Sequence, residues 1–320
     1  MRRIMFLLIV MALALGVPKR ASAQSCSAVA SAISFGSVSP ISGAAVAATG
    51  SVSVTCTWPA ITLVPNAQVC LNLGGTSPRS MTNGTNLLQY DLYQDMGHSQ
   101  AWGSIYSGTT PISLTLVKPA LTTSATQTVT IYGQVSASQP TVPTIGNVST
   151  LYNQTFGGSQ TSINAGFYLL GAPTCASLTA SGGTFPFSAS ATVVNNCNIS
   201  ATNLNFGATG LLSRALNATA SITAQCTNGD AYRIALNGGT TANVAARQMA
   251  RSGGGGAVNY QLYVDAGLAT TWGDGTAGTT QATGTGTGNA QVLTVYGVVP
   301  AQTTPAPGTY TDTITATISF

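Results

Sequence analysis

The chain has 320 residues, ten Lys and Arg against six acidic residues, one His, and only 5% charged residues, far below the usual quarter. Four of the basic residues (Arg2, Arg3, Lys19, Arg20) precede residue 24. The rest of the chain is therefore formally neutral, which excludes a basic nucleic-acid face or a polybasic lipid-binding patch.

Arg2 and Arg3 lead into the apolar run Ile4–Val17, and Ala21-Ser22-Ala23 offers a small-residue cleavage site. Residues 1–23 read as a secretory signal peptide, too short to span a bilayer with flanks of its own, and the mature chain should begin at Gln24. No later stretch is long and apolar enough to cross a membrane. Beyond residue 23 the chain is a series of short Val-, Thr-, Ile- and Tyr-rich runs punctuated by Gly and Asn, with no Glu and no long helical periodicity. The expectation is an all-β chain, and about 300 residues allow two domains.

The chain repeats itself. Cys26 is followed nine residues later by Phe35-Gly36, and Cys197 nine residues later by Phe206-Gly207. LNLGG (Leu71–Gly75) answers ALNGG (Ala235–Gly239), Arg79-Ser80-Met81 answers Arg247-Gln248-Met249, and YDLYQD with Trp102-Gly103 answers YQLYVD with Trp272-Gly273. Thr130–Gly133 then answers Thr294–Gly297. This is a domain duplication rather than a short solenoid period. Matched positions pair Cys26 with Cys56 and Cys197 with Cys226, and elimination leaves Cys70 with Cys175. Each short loop contributes roughly 3–4 kcal/mol in the chain-entropy model, and disulfides suit an exported protein.

Between the copies, Thr184–Val194 alternates strictly. Phe185, Phe187, Ala189, Ala191 and Val193 fall on one side, the pattern of a strand with one buried face. Only Gln24 and Ser25 separate the expected cleavage point from Cys26, too few for a comparable strand before the first copy. At the other end the sequence closes on YTDTITATISF, with Tyr310, Ile314, Ala316, Ile318 and Phe320 alternating.

The block of an alternating strand, a cysteine and ISATNLNFG, followed by YQLY…WG and YTDTITATISF, resembles the spore coat U domain family across two tandem units. The resemblance implies pilin-type, immunoglobulin-like β-sandwiches of archaic (Csu-type) chaperone–usher pili. In such units a missing final strand is supplied by a neighbouring subunit. It further implies a periplasmic pilus chaperone, an outer-membrane usher and donor-strand exchange with the next pilin. On that basis residues 24–194 form an N-terminal adhesin domain completed internally by strand 184–194, and residues 195–320 form a pilin domain with an open acceptor groove lined by Tyr310, Ile314, Ala316, Ile318 and Phe320. A chain able to accept a strand but not to give one belongs at a fibre end, at the cell surface.

The first copy carries an apolar insertion between Cys56 and Cys70. Trp58, Pro59, Ile61, Leu63 and Val64 read as an exposed, stiffened loop that attaches to an abiotic or host surface. The competing reading has the same loop packed on its own domain. Gly166–Gly171 (GFYLLG) is a second apolar run nearby. Two other functions compete: a carbohydrate-binding tip lectin, and a structural spore-coat or matrix protein. Catalysis finds no support in the sequence. It has no Glu, and His98 has Leu268 as its counterpart. It also lacks a GxSxG elbow, an HExxH helix and a phosphate-cradling Gly-rich loop. No metal or other cofactor is expected.

Overall fold

A computed structural model describes residues 24–320, and the predicted signal peptide lies outside the described residues. The first half contains β1 (Ser25–Ala30), β2 (Ile33–Val38), β3 (Val46–Thr57), β4 (Asn66–Leu73), β5 (Arg79–Asn83), β6 (Asn86–Tyr93), β7 (Ile112–Val117), β8 (Ser124–Val135), β9 (Thr150–Phe156), β10 (Thr161–Tyr168) and β11 (Phe187–Val193). The second contains β12 (Cys197–Ala201), β13 (Leu216–Cys226), β14 (Ala231–Leu236), β15 (Arg247–Arg251), β16 (Ala257–Tyr263), β17 (Ala282–Thr285), β18 (Gln291–Val299), β19 (Tyr310–Thr311) and β20 (Ala316–Ser319). Alternating apolar and small polar residues give most segments one apolar face, which is what lets two sheets close on a core, while β4 is buried on both faces.

An eight-stranded sheet, β1-β3-β8-β6-β5-β9-β11-β2, covers a three-stranded sheet, β10-β4-β7, to make the first sandwich. A six-stranded sheet, β12-β13-β18-β16-β15-β19, and a three-stranded sheet, β17-β14-β20, make the second. Val52, Val54, Leu71, Leu73 and Ile131 fill the first core. Ile222, Ala224, Ile234, Leu236 and Val295 fill the second. Cys26–Cys56 and Cys197–Cys226 each bridge directly opposed residues, of β1 with β3 and of β12 with β13. Cys70–Cys175 ties β4 to a 3-10 turn at Cys175–Ser177.

Hydrogen bonds correct one detail of the repeat. The indole N–H of Trp102 donates to the Leu71 carbonyl and that of Trp272 to the Ile234 carbonyl, both at 2.9 Å. Leu71 therefore corresponds to Ile234, not to Ala235 as the matched Gly-Gly pairs suggest. The next turn runs from Leu73 to Arg79 in one sandwich and from Leu236 to Arg247 in the other, so its glycines do not mark equivalent places.

The closing segment also differs from its expected form. It is not one strand: Tyr310–Thr311 pairs with β15 in the large sheet, whereas Ala316–Ser319 pairs with β14 in the small one. The chain crosses between sheets at 312–315 and keeps Tyr310, Ile314, Ala316 and Ile318 on the core side. β9 and β10 make the same crossing in the first sandwich.

Candidate functional site: a vacant strand slot and an apolar pole

β11 completes the first sandwich. It runs antiparallel to β9, from Phe187 opposite Phe156 to Val193 opposite Thr150, and parallel to β2, from Ala189 beside Ile33 to Val193 beside Val38. Its inward residues Phe185, Phe187, Ala189, Ala191 and Val193 are all buried in the first core. Phe185 and Phe187 each stack on Trp102 with ring centroids 5.9 Å apart, and Phe187 also stacks on Phe156 at 4.8 Å. Ala189 and Ala191 keep the sheets close. Phe185 precedes the ladder, so it fills a core pocket without contributing backbone pairing.

The second sandwich has the same frame without this strand. The pairs Thr82–Asn153 in β5–β9 and Ala250–Thr311 in β15–β19 make Tyr310 the counterpart of Tyr152 and Ile314 the counterpart of Phe156. β19 is the outermost strand of its sheet, and among the described residues no strand lies beyond it. The counterpart of β2, Leu204–Gly207, repeats its apolar spacing yet forms no strand, because the backbone that would pair with it is missing. Burial tells the same story. Ile33, Phe35, Tyr152, Phe156 and Ile163 are buried, whereas Leu204, Phe206, Tyr310, Ile314 and Ile318 are only partly covered. Ala316 also lines this half-open face, but Phe320 does not: it stands 44% exposed beyond Ser319, the last residue paired with β14. Unpaired backbone beside half-covered apolar side chains is the physical template for strand addition.

A different feature occupies one pole of the first sandwich. Asn66 lies opposite both Tyr168 and Val117, so the segments 58–65, 118–123 and 169–174 all emerge at one end of the β10-β4-β7 sheet. Hydrogen bonds tie them together: Lys118 N–H to the Pro65 carbonyl, Trp58 N–H to the Thr123 carbonyl, and the Asn66 side chain to the Leu169 carbonyl. Leu121 is 98% exposed, Ile61 90%, Leu170 87%, Leu63 83% and Leu169 56%. Outside the binding of other copies or surfaces, such clustered exposure of large aliphatics has no stabilising role.

Trp58 is not part of this exposed set, contrary to expectation. It is 1% exposed and packs edge-on against Phe167 with centroids 5.8 Å apart. A large ring at the root of a loop gains more by entering the core than by standing in water. Pro59 and Val64 are half-buried, leaving Ile61 and Leu63 as the large exposed residues of that loop. Sequence reasoning missed Leu121 altogether. A single Leu between Ala120 and Thr122 carries no periodic signal, and its neighbours at the pole are distant in the chain.

His98 sits in a left-handed turn beside Tyr93 and Gln134. A shallow cleft of about 390 Å³ is lined by Ile105, Tyr106, Ala176, Leu178 and Thr179. Behind it, the Asn164 side chain already bonds to Asn72, the Tyr106 hydroxyl and the Leu178 carbonyl. An exposed tyrosine is present there, but the convergent free polar groups that a sugar site needs are not.

The duplicated frame, with its paired tryptophans and its slot filled once and vacant once, agrees with the family comparison. The pattern of the Spore Coat Protein U domain matches residues 13–148 and again 183–317. The chain belongs to the Spore Coat Protein U domain family. Both Spore Coat Protein U units carry the Cys-to-Phe-Gly spacing and the buried Trp, and the second match begins at residue 183, so it takes in β11. No curated protein matches the chain. Among solved structures, the chain is similar to one in the CsuC–CsuE chaperone–tip adhesion subunit pre-assembly complex from the archaic chaperone–usher Csu pili of Acinetobacter baumannii. That match has 17% identity over 92% of this chain and 100% of the other, with a TM-score of 0.50. The CupB6 tip adhesin of Pseudomonas aeruginosa is 13% identical over 92% of this chain and 94% of its own, with a TM-score of 0.41. The first of these is a likeness of fold.

Proposed function

We propose that this protein is the tip adhesin of an archaic chaperone–usher pilus, exported through the periplasm after removal of residues 1–23 and displayed at the cell surface. Residues 24–194 form the adhesin unit, with β11 as its built-in donor strand. Residues 195–320 form the pilin unit, whose vacant slot takes a strand first from a periplasmic chaperone and then, at the outer-membrane usher, from the adjoining subunit. The observation that carries this reading is the contrast between equivalent residues, Tyr152 and Phe156 covered by β11, Tyr310 and Ile314 left half-open. The likeness of fold to a chain of a chaperone–tip adhesion subunit complex supports it.

Attachment and biofilm formation fall to the apolar pole. Ile61, Leu63, Leu121, Leu169 and Leu170 make an apolar contact with a single charged residue, Lys118, in its segments, suited to abiotic surfaces. Burying about 400 Å² of it contributes at most ~10 kcal/mol before ordering losses, and several pili per cell multiply the effect. Replacing Ile61, Leu63, Leu121 and Leu170 by Ser should abolish adhesion to polystyrene while leaving assembled pili visible by electron microscopy. Undiminished adhesion would remove the pole from the mechanism. Loss of adhesion on adding soluble sugars, with resistance to detergent, would point instead to a lectin.

A further inference from the structure

Only three residues, Val194–Asn196, separate β11 from β12, yet the two sandwiches meet over a wider seam. The loop 136–149 of the first lies on the β13–β14 turn of the second. Thr144 N–H donates to the Asn228 carbonyl, and the Asn228 side chain returns a bond of 2.7 Å to the Thr141 carbonyl. Asn147, at a left-handed φ of 58°, turns its amide to Ala231, donating to the carbonyl and accepting from the N–H as a strand residue would. Gly288, at φ 78°, lies against the Pro140 backbone, where a Cβ would collide.

Asp230 is at the centre of this seam, and its side chain is fully buried. One carboxyl oxygen accepts from the Thr144 hydroxyl across the seam, and the other, Oδ2, has no partner. The elements packed on it are 136–149, the turn 227–229, the stretch 284–288 and the linker 194–196. None carries a titratable side chain. In the strand that follows, β14, Tyr232 is buried in the second core and Arg233 is exposed. A carboxylate there has no countercharge, and one of its oxygens has no hydrogen-bond donor from the protein, a costly arrangement that protonation relieves.

We propose that Asp230 is a proton-controlled latch between the two sandwiches, seated firmly when its carboxyl is neutral and loosened when it ionises. Burial raises its pKa above the ordinary value, and the Thr144 hydroxyl bond opposes this. Once the seam opens, Asp230 regains water and an ordinary pKa of about 3.9. The group contributes its full share to docking below that value. The share is lost progressively as pH rises through the raised, docked value, and then levels off.

The test is amide hydrogen exchange on the full mature chain between pH 4 and pH 8, corrected for intrinsic rates. Protection at Thr144 and Ala231 should fall as pH rises, by up to tenfold per unit for a single coupled proton, while amides inside β3 and β8 stay constant. Asp230→Asn should flatten this dependence. Thr144→Val, which removes the hydroxyl favouring the charged form, should extend the fall to higher pH. Constant protection at the seam of the unaltered protein would overturn the proposal, as would an undiminished slope in Asp230→Asn or an unshifted one in Thr144→Val.

Discussion

Arg79 and Arg247 stand at equivalent positions, both buried, and each donates to the carbonyl at the end of a core strand, Leu73 and Leu236. Their companions have traded places. Arg79 pairs with the Asp91 carboxylate, while the Tyr90 hydroxyl donates to the Gln154 amide. Arg247 bonds to the Gln261 amide, while the Tyr260 hydroxyl donates to the Asp312 carboxylate. Burial lowers the Arg247 pKa, whereas the first sandwich supplies a neighbouring carboxylate to the same cation. Asp91→Ala should therefore cost about 3–5 kcal/mol by stranding a buried guanidinium, read as a loss of stability in chemical denaturation. Asp95 and Asp265 make a second matched pair, each accepting backbone N–H bonds four and five residues on. Those bonds lower both pKa values. Their contribution is complete above the ordinary carboxyl range and is lost as pH falls through the lowered values. NMR titration of the Gln100 and Thr270 amides should reveal this as shared acid transitions.

At the scale of single elements, β11 is the strand on which the first sandwich depends. Phe187→Asp would place an unpaired charge among Trp102, Phe156 and Phe185, and should cost several kcal/mol, collapsing the first thermal transition. An unchanged melting point would show that β11 is dispensable. The Cys70–Cys175 bridge encloses most of the first unit and holds the segment after Leu169 and Leu170 against β4. Replacing both cysteines by Ser should lower stability by up to about 4–5 kcal/mol in the chain-entropy model. Denaturant unfolding of the double variant measures it. The alternation of β11 is legible in the sequence because period two is a local property. The state of Leu204–Gly207 is not, since the same spacing makes a strand in Ile33–Val38 only where β11 runs beside it.

Over the whole molecule, one pole of the sandwich serves two purposes. In the second unit the short β13–β14 and β17–β18 turns seat on the first unit, with Asn228, Asp230 and Gly288 at the contact. In the first unit the equivalent loops are enlarged and end in Ile61, Leu63 and Leu121. The pole that joins one unit to its neighbour is, at the free end, turned to the outside. If the seam holds the units as one body, small-angle scattering of the full chain should fit a single interdomain arrangement at pH 4.5. A broad distribution of arrangements at that pH would contradict this.

The amino-acid sequence alone determined the all-β class and the duplication. Both rest on short-range alternation and on the spacing of Cys, Trp and Gly, which a chain displays before it folds. Which apolar residues are covered was decided only by the tertiary structure. Trp58 is buried because Phe167 lies against it from more than a hundred residues away, and Leu121 joins Ile61 and Leu170 because β4 pairs with both β7 and β10. The open groove beside Tyr310 and Ile314 was expected from the family resemblance, but its form, a crossing between two sheets with Phe320 outside it, came only from the structure. Which side chains a pairing strand covers depends on contacts across space, and local alternation records only which face is apolar.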